Sequence, residues 1–68
     1  MQKIKIIDVL TDTLEYLRRD EAIAERRRMR EKELGNTDAV TKYNRRLNRI
    51  RKLILPVEMV LNGLGAPV

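Results

Sequence analysis

Neither cysteine nor histidine occurs in these 68 residues. That removes disulfides together with the thiolate and imidazole ligands of ordinary zinc sites, so a metal would have to sit on carboxylates alone. Phenylalanine and tryptophan are missing too, and Tyr16 and Tyr43 are the only aromatic residues. The interleaved aromatics typical of single-strand binders are therefore absent. Three glycines and two prolines leave no Gly-rich phosphate loop and no long linker. The longest apolar region, residues 53–64, is interrupted by Pro56, Glu58 and Asn62 and is too short to span a bilayer. Met1 to Leu10 already carries Asp8, where a secretory signal would keep its apolar stretch. A soluble, cytoplasmic protein is expected, and the lack of cysteine fits a reducing compartment.

The same absences argue against catalysis. No nucleophile stands beside a base and no pair of catalytic acids is apparent. Asp8, Asp12 and Glu15 fall at helical spacing, but without histidine or a second acidic cluster they read as a face that compensates a helix dipole, not as a metal site. No catalytic, cofactor-binding or metal-ligating residue is assigned, and no cofactor is expected.

What is present is charge, unevenly placed. The net charge is +5. Residues 1–34 hold nine Lys/Arg against eight Asp/Glu, whereas residues 39–57 hold six cations and no acid. Such an imbalance favours a polyanionic or acidic partner through its summed field and says nothing about fold.

Fold follows from periodicity. Val40, Tyr43, Leu47, Ile50, Ile54, Val57, Leu61 and Leu64 recur at steps of three and four, an a/d heptad pattern that demands a partner helix. Ile7, Leu10, Leu14 and Leu17 follow the same rule near the N-terminus. Lys3 to Ile6 alternate, which would also suit a short strand, but the heptad phase runs through them and a helix is preferred. Between Arg18 and Glu33 the phase degrades, because its next positions are Glu21, Ala24, Arg28 and Glu31. This stretch is expected to be held by helix propensity and by local pairs (Glu15–Arg19, Glu25–Arg28, Arg27–Glu31, Arg30–Glu33), and to pack thinly through Ala22, Ile23, Ala24, Met29 and Leu34.

Gly35 directly follows the last apolar residue of that stretch, where helices commonly end in a left-handed residue. Asn36 or Thr37 offers an N-cap oxygen to the next helix. The connection is short enough to fold two helices back antiparallel. The expected architecture is all-α: an antiparallel helical hairpin with a first helix over about 3–34, a turn at 35–37, a second helix over about 38–62 and a frayed tail at 63–68. Pro56 predicts a kink in the second helix. So small a chain hides little core, so a homo-oligomer is expected, most simply a dimer forming a four-helix arrangement. Ile4, Ile7, Leu53, Leu55, Met59 and Val60 are the candidate contacts, for a second copy or for a different protein.

Folding at Gly35 gathers the apolar ends at a base and the basic clusters at a tip. Lys42, Arg45, Arg49 and Lys52 line the outer side of the second helix, with Arg46 and Arg51 flanking them. Against a merely solvated surface, in which Arg46 and Arg51 pair with Glu21, Glu25, Glu31 or Glu33, stands the absence of acids from the stripe itself. Arg26, Arg27, Arg28 and Arg30 form a second cluster at the same end. Both are candidate phosphate contacts, so nucleic acid is the first partner considered and an acidic protein the second. Tyr43, and Tyr16 beside the first seam, are expected to be core tyrosines with hydroxyls at the rim. A helix-turn-helix is disfavoured by the long, charged first helix, and a membrane-surface helix by the missing aromatic anchors. In shape alone the reading is similar to small helical-hairpin RNA-binding regulators that dimerise into four-helix bundles.

Overall fold

Good helix formers fill the first half of the chain, and there it forms one unbroken helix, α1, Gln2–Glu33; after a short turn a second helix, α2, spans Thr37–Gly63. The computed structural model describes the backbone of residues 2–66 and the side chains of residues 5–66; the Ile4 side chain, a candidate contact, lies outside the described residues. No strand occurs among the described residues.

The turn is built by the end of α1. Gly35 adopts φ 76°, a conformation glycine enters without a Cβ penalty. Its amide donates to the Lys32 carbonyl (3.1 Å) and the Asn36 amide to that of Glu31 (2.9 Å), the two bonds of a Schellman closure. Asn36 stands at the N-cap of α2, but its side chain makes no capping bond. The amide instead donates to the Glu31 carboxylate at 2.5 Å, fastening the turn to α1.

The helices then run antiparallel in a rod of 50 × 15 × 14 Å. Arg18 meets Glu58 and Glu25 meets Arg51, so seven residues up one helix correspond to seven down the other. All eight seam residues from Val40 to Leu64, seven in α2 and Leu64 at its C-cap, are buried or half-buried. Leu47, Ile50, Ile54 and Leu61 form the core with Leu14, Leu17 and Ala24, and Ile7, Leu10, Tyr43 and Val57 pack at its margin. Leu47 and Leu61 are fully buried, each worth roughly 1.5–3 kcal/mol of transfer free energy.

Residues 18–33 differ from the sequence expectation. Ala24 alone of the five expected contacts is buried; Ala22 is exposed, and so are Ile23, Met29 and Leu34. The seam instead continues through Glu21, Ala24, Arg28 and Glu31, all buried or half-buried, because an unbroken helix keeps its phase whatever chemistry occupies it. Of the local pairs, only Glu25–Arg28 forms an ion pair among the described residues; Glu21 and Glu25 reach across to Arg51 instead.

The far end also departs from expectation. Residues 63–66 of the expected frayed tail are held by a second Schellman pair, Gly65 (φ 81°) donating to Asn62 and Ala66 to Leu61, both at 3.0 Å, while Pro67 and Val68 lie outside the described residues. Ala66 packs against the core, the apolar contact that accompanies this closure. Pro56 lies inside α2 without ending it. Its side chain is exposed, and it deprives only the Lys52 carbonyl of a helical donor.

Candidate nucleic-acid interface

Two edges border the seam, and they differ in chemistry. One edge carries Arg18, Glu25 and Lys32 on α1 and Asn44, Arg51 and Glu58 on α2. Here charges are matched: Arg18 pairs with Glu58, while Arg51 donates from Nε to Glu21 (2.8 Å) and from Nη2 to Glu25 (3.1 Å). Arg28 joins from the seam by pairing with Glu25. The Arg28 hydrogen bond and charge, with Arg51 adding, hold the Glu25 carboxyl below its ordinary 4.5. Hydrogen bonding to Glu21, reinforced by both carboxylate charges, raises the Arg51 guanidinium further above its ordinary value.

The opposite edge carries Ile6, Thr13, Asp20, Arg27 and Leu34 on α1 and Ala39, Arg46, Leu53 and Val60 on α2. An open groove of about 780 Å³ runs along it, lined by Tyr16, Asp20, Arg27, Lys42, Tyr43, Arg45, Arg46, Arg49 and Leu53, with Leu17 and Ile50 as its floor. Five cations thus face one acid. That acid, Asp20, approaches only Arg46, at 4.0 Å, the limit of an ion pair. Arg27, Lys42, Arg45 and Arg49 make no ion pair among the described residues. Charges this close lie within about one Debye length, roughly 8 Å at physiological salt, of their neighbours and act as one field.

The structure therefore sorts the eight candidate cations. Arg27, Lys42, Arg45 and Arg49 share the groove, and Arg30 extends it toward the turn, lining a depression of about 270 Å³ with Arg27, Glu31, Tyr43 and Leu34. Arg28 is not brought to them: it is half-buried, paired with Glu25, and lines the other side with Lys32 and Asn44. Arg26 and Lys52 are exposed and stand two residues, about 200° of helical turn, from the core residues Ala24 and Ile54, so they point outward beside the groove. Arg51 is paired as the solvated-surface reading expected, whereas Arg46 turns to the groove.

Tyr43 is half-buried against the core, as expected, but Tyr16 is 63% exposed. One residue before Leu17, it is turned about 100° off the seam, onto the groove wall. The candidate apolar contacts also separate. Leu53 and Val60, seven residues apart, share the groove edge; Leu55 and Met59 lie on the far side of α2, all four exposed, while Ile7 is half-buried in the seam. The sequence signal for these two edges is the residue before and the residue after each core pair, readable once the register is known.

Among the described residues no helix is long and apolar enough to cross a membrane, and no three carboxylates group as a metal site. Comparison with known proteins gives no match, neither to a family model, nor to a curated protein, nor to a solved structure.

Proposed function

We propose that this hairpin is a non-enzymatic binding protein that holds nucleic acid through its cationic groove, in a regulatory or accessory role, and acts as a homodimer closed at its apolar base. One observation carries the reading: among the described residues four of the five ion-pair contacts lie on one edge, and the other edge holds five cations with a single acid, Asp20, whose one contact is Arg46 at 4.0 Å. Lys42, Arg45 and Arg49 are the principal phosphate contacts, with Arg27 and Arg30 extending the track and Arg26 and Lys52 at its margins. Phosphate contacts of this kind position a polyanion without reading its sequence. Pro56 sits between Leu53 and Val60 on the base, where a bend of α2 would set the shape of the dimer contact.

The test is a salt titration of binding to generic DNA and RNA. Salt-sensitive binding is expected, lost on charge reversal of Arg45 and Arg49 while the helical signal is retained. No binding at low ionic strength refutes the proposal. A second reading, an interaction or inhibitor module for an acidic protein, is favoured by the exposed apolar residues at the base; a chain that stays monomeric and ignores nucleic acid selects it.

A further inference from the structure

Tyr16 is the groove residue that the scaffold does not explain. Its ring is 63% exposed, yet it stands on the groove wall among cations that make no ion pair. Tyr43 reaches the same groove from the other helix and also borders the depression beside Arg27 and Arg30. The two aromatic residues of the chain lie far apart in sequence, and the pairing of the helices brings both to one cationic track. The interleaving of aromatic and basic residues that the sequence lacks is therefore made by the fold.

We infer that the groove takes a single strand of nucleic acid, not a duplex, with its phosphates on Lys42, Arg45 and Arg49 and one of its bases stacked on the ring of Tyr16. The inference rests on the proposed function and deepens it by naming the substrate class.

Three observations lead there. The hairpin is 15 × 14 Å across, wider than either groove of B-DNA, about 12 and 6 Å. A duplex thus offers it phosphates and no base edges, and leaves Tyr16 and the half-exposed Leu53 uncovered. A strand with free bases covers both, since every base has a face that stacks on an aromatic ring. Next, the groove holds one acid, Asp20, four residues on from Tyr16 and so on the same side of α1. A carboxylate there repels a phosphate but accepts from the amino group of a base. That end of the α1 wall is suited to bases, and the basic residues of α2 to the backbone. Finally, the groove is about 17 Å long, the rise from Tyr16 to Arg27 on α1 and from Lys42 to Leu53 on α2. That is room for about four nucleotides, the low end of the site sizes of single-strand binders.

The experiment uses the full chain and three fluorescent probes of equal length: an unstructured DNA strand, its duplex, and an abasic strand that keeps the phosphates and has no bases. Anisotropy is measured for the wild type, Tyr16→Leu and Tyr16→Phe, and circular dichroism checks that each variant is folded. At physiological salt the single strand should bind the wild type more tightly than the duplex does. Tyr16→Leu should weaken the single strand about tenfold, the effect of one stacked base, and Tyr16→Phe, which keeps the ring, should not. Neither variant should change binding of the duplex or of the abasic strand. The salt slope on the single strand should be about −2.8 for four phosphates, and the same in Tyr16→Leu, which removes no phosphate contact. A duplex that binds as tightly as the single strand, or a Tyr16→Leu loss equally large on the abasic strand, overturns this inference and leaves the cationic groove standing. Failure of all three probes to bind refutes the proposed function and takes this inference with it.

Discussion

Arg49 and Arg51 stand two residues apart on α2, yet one lines the groove and the other is bound to Glu21 and Glu25. Replacing each by glutamine removes the same charge, so a difference in effect reports position alone. If the groove engages about four phosphates, the logarithm of the binding constant should fall with the logarithm of salt at a slope of about −3.6, and affinity should drop about 150-fold between 50 and 200 mM salt. Arg49→Gln removes one contact, bringing the slope to about −2.7 and the drop to about 40-fold. Arg51→Gln leaves the slope near the wild-type value and lowers the melting temperature instead, because it strands the Glu21 carboxylate and leaves Glu25 with Arg28 alone. Fluorescence anisotropy with labelled duplex and single-stranded oligonucleotides, repeated across the salt range, measures both slopes. Equal slopes for the two variants, or a wild-type slope near zero, would refute the division of labour between the edges.

Three further outcomes concern the scaffold. Leu47→Ala should destabilise the hairpin by about 2–5 kcal/mol, while Leu55→Ala, exposed on the far side of α2, should stay within about 0.5 kcal/mol, both read by chemical denaturation. Gly35→Ala meets no atom within 4 Å of the new Cβ, so its cost is the left-handed backbone alone, about 1–2 kcal/mol. The depressed Glu25 carboxyl makes stability pH dependent in one direction: its contribution is present above the ordinary value of 4.5 and is lost as pH falls through the lower folded value. Melting temperature should accordingly fall on acidification below about pH 4.5, less steeply in Glu25→Gln.

The seam of the second half was readable residue by residue, since each of its eight positions, from Val40 to Leu64 at steps of three and four, is apolar or a tyrosine and each is buried or half-buried. The turn was readable because glycine at 35 follows the last apolar residue of α1. The middle of α1 was not. Glu21, Arg28 and Glu31 look like solvent-facing residues, and composition alone suggested that the contact had moved to Ile23 or Met29. Backbone phase outweighed side-chain preference there: Glu21 meets Arg51 at the edge, and Arg28 pairs with Glu25 while its Nε stays buried without a hydrogen-bond partner. The groove was hidden for a different reason. Clusters along the sequence separate base from tip, but only the register of one helix on the other separates one edge from the other. Arg28 thereby left the cationic set and Arg46 entered it.

Glu31, the last seam position of α1, and Val40, the first of α2, are nine positions apart, two more than a full heptad. Were the hinge at Gly35 to straighten into a single long helix, the oily stripe of α1 would run on not into Tyr43 and Leu47 but into Lys42, Arg45, Arg49 and Lys52. Two such opened chains could not zip together along their length without burying four guanidinium or ammonium groups each. The offset at the hinge therefore guards against strand exchange between copies, the common failing of two-helix proteins with uniform seams, and it does so with the same residues that give the folded molecule its cationic face.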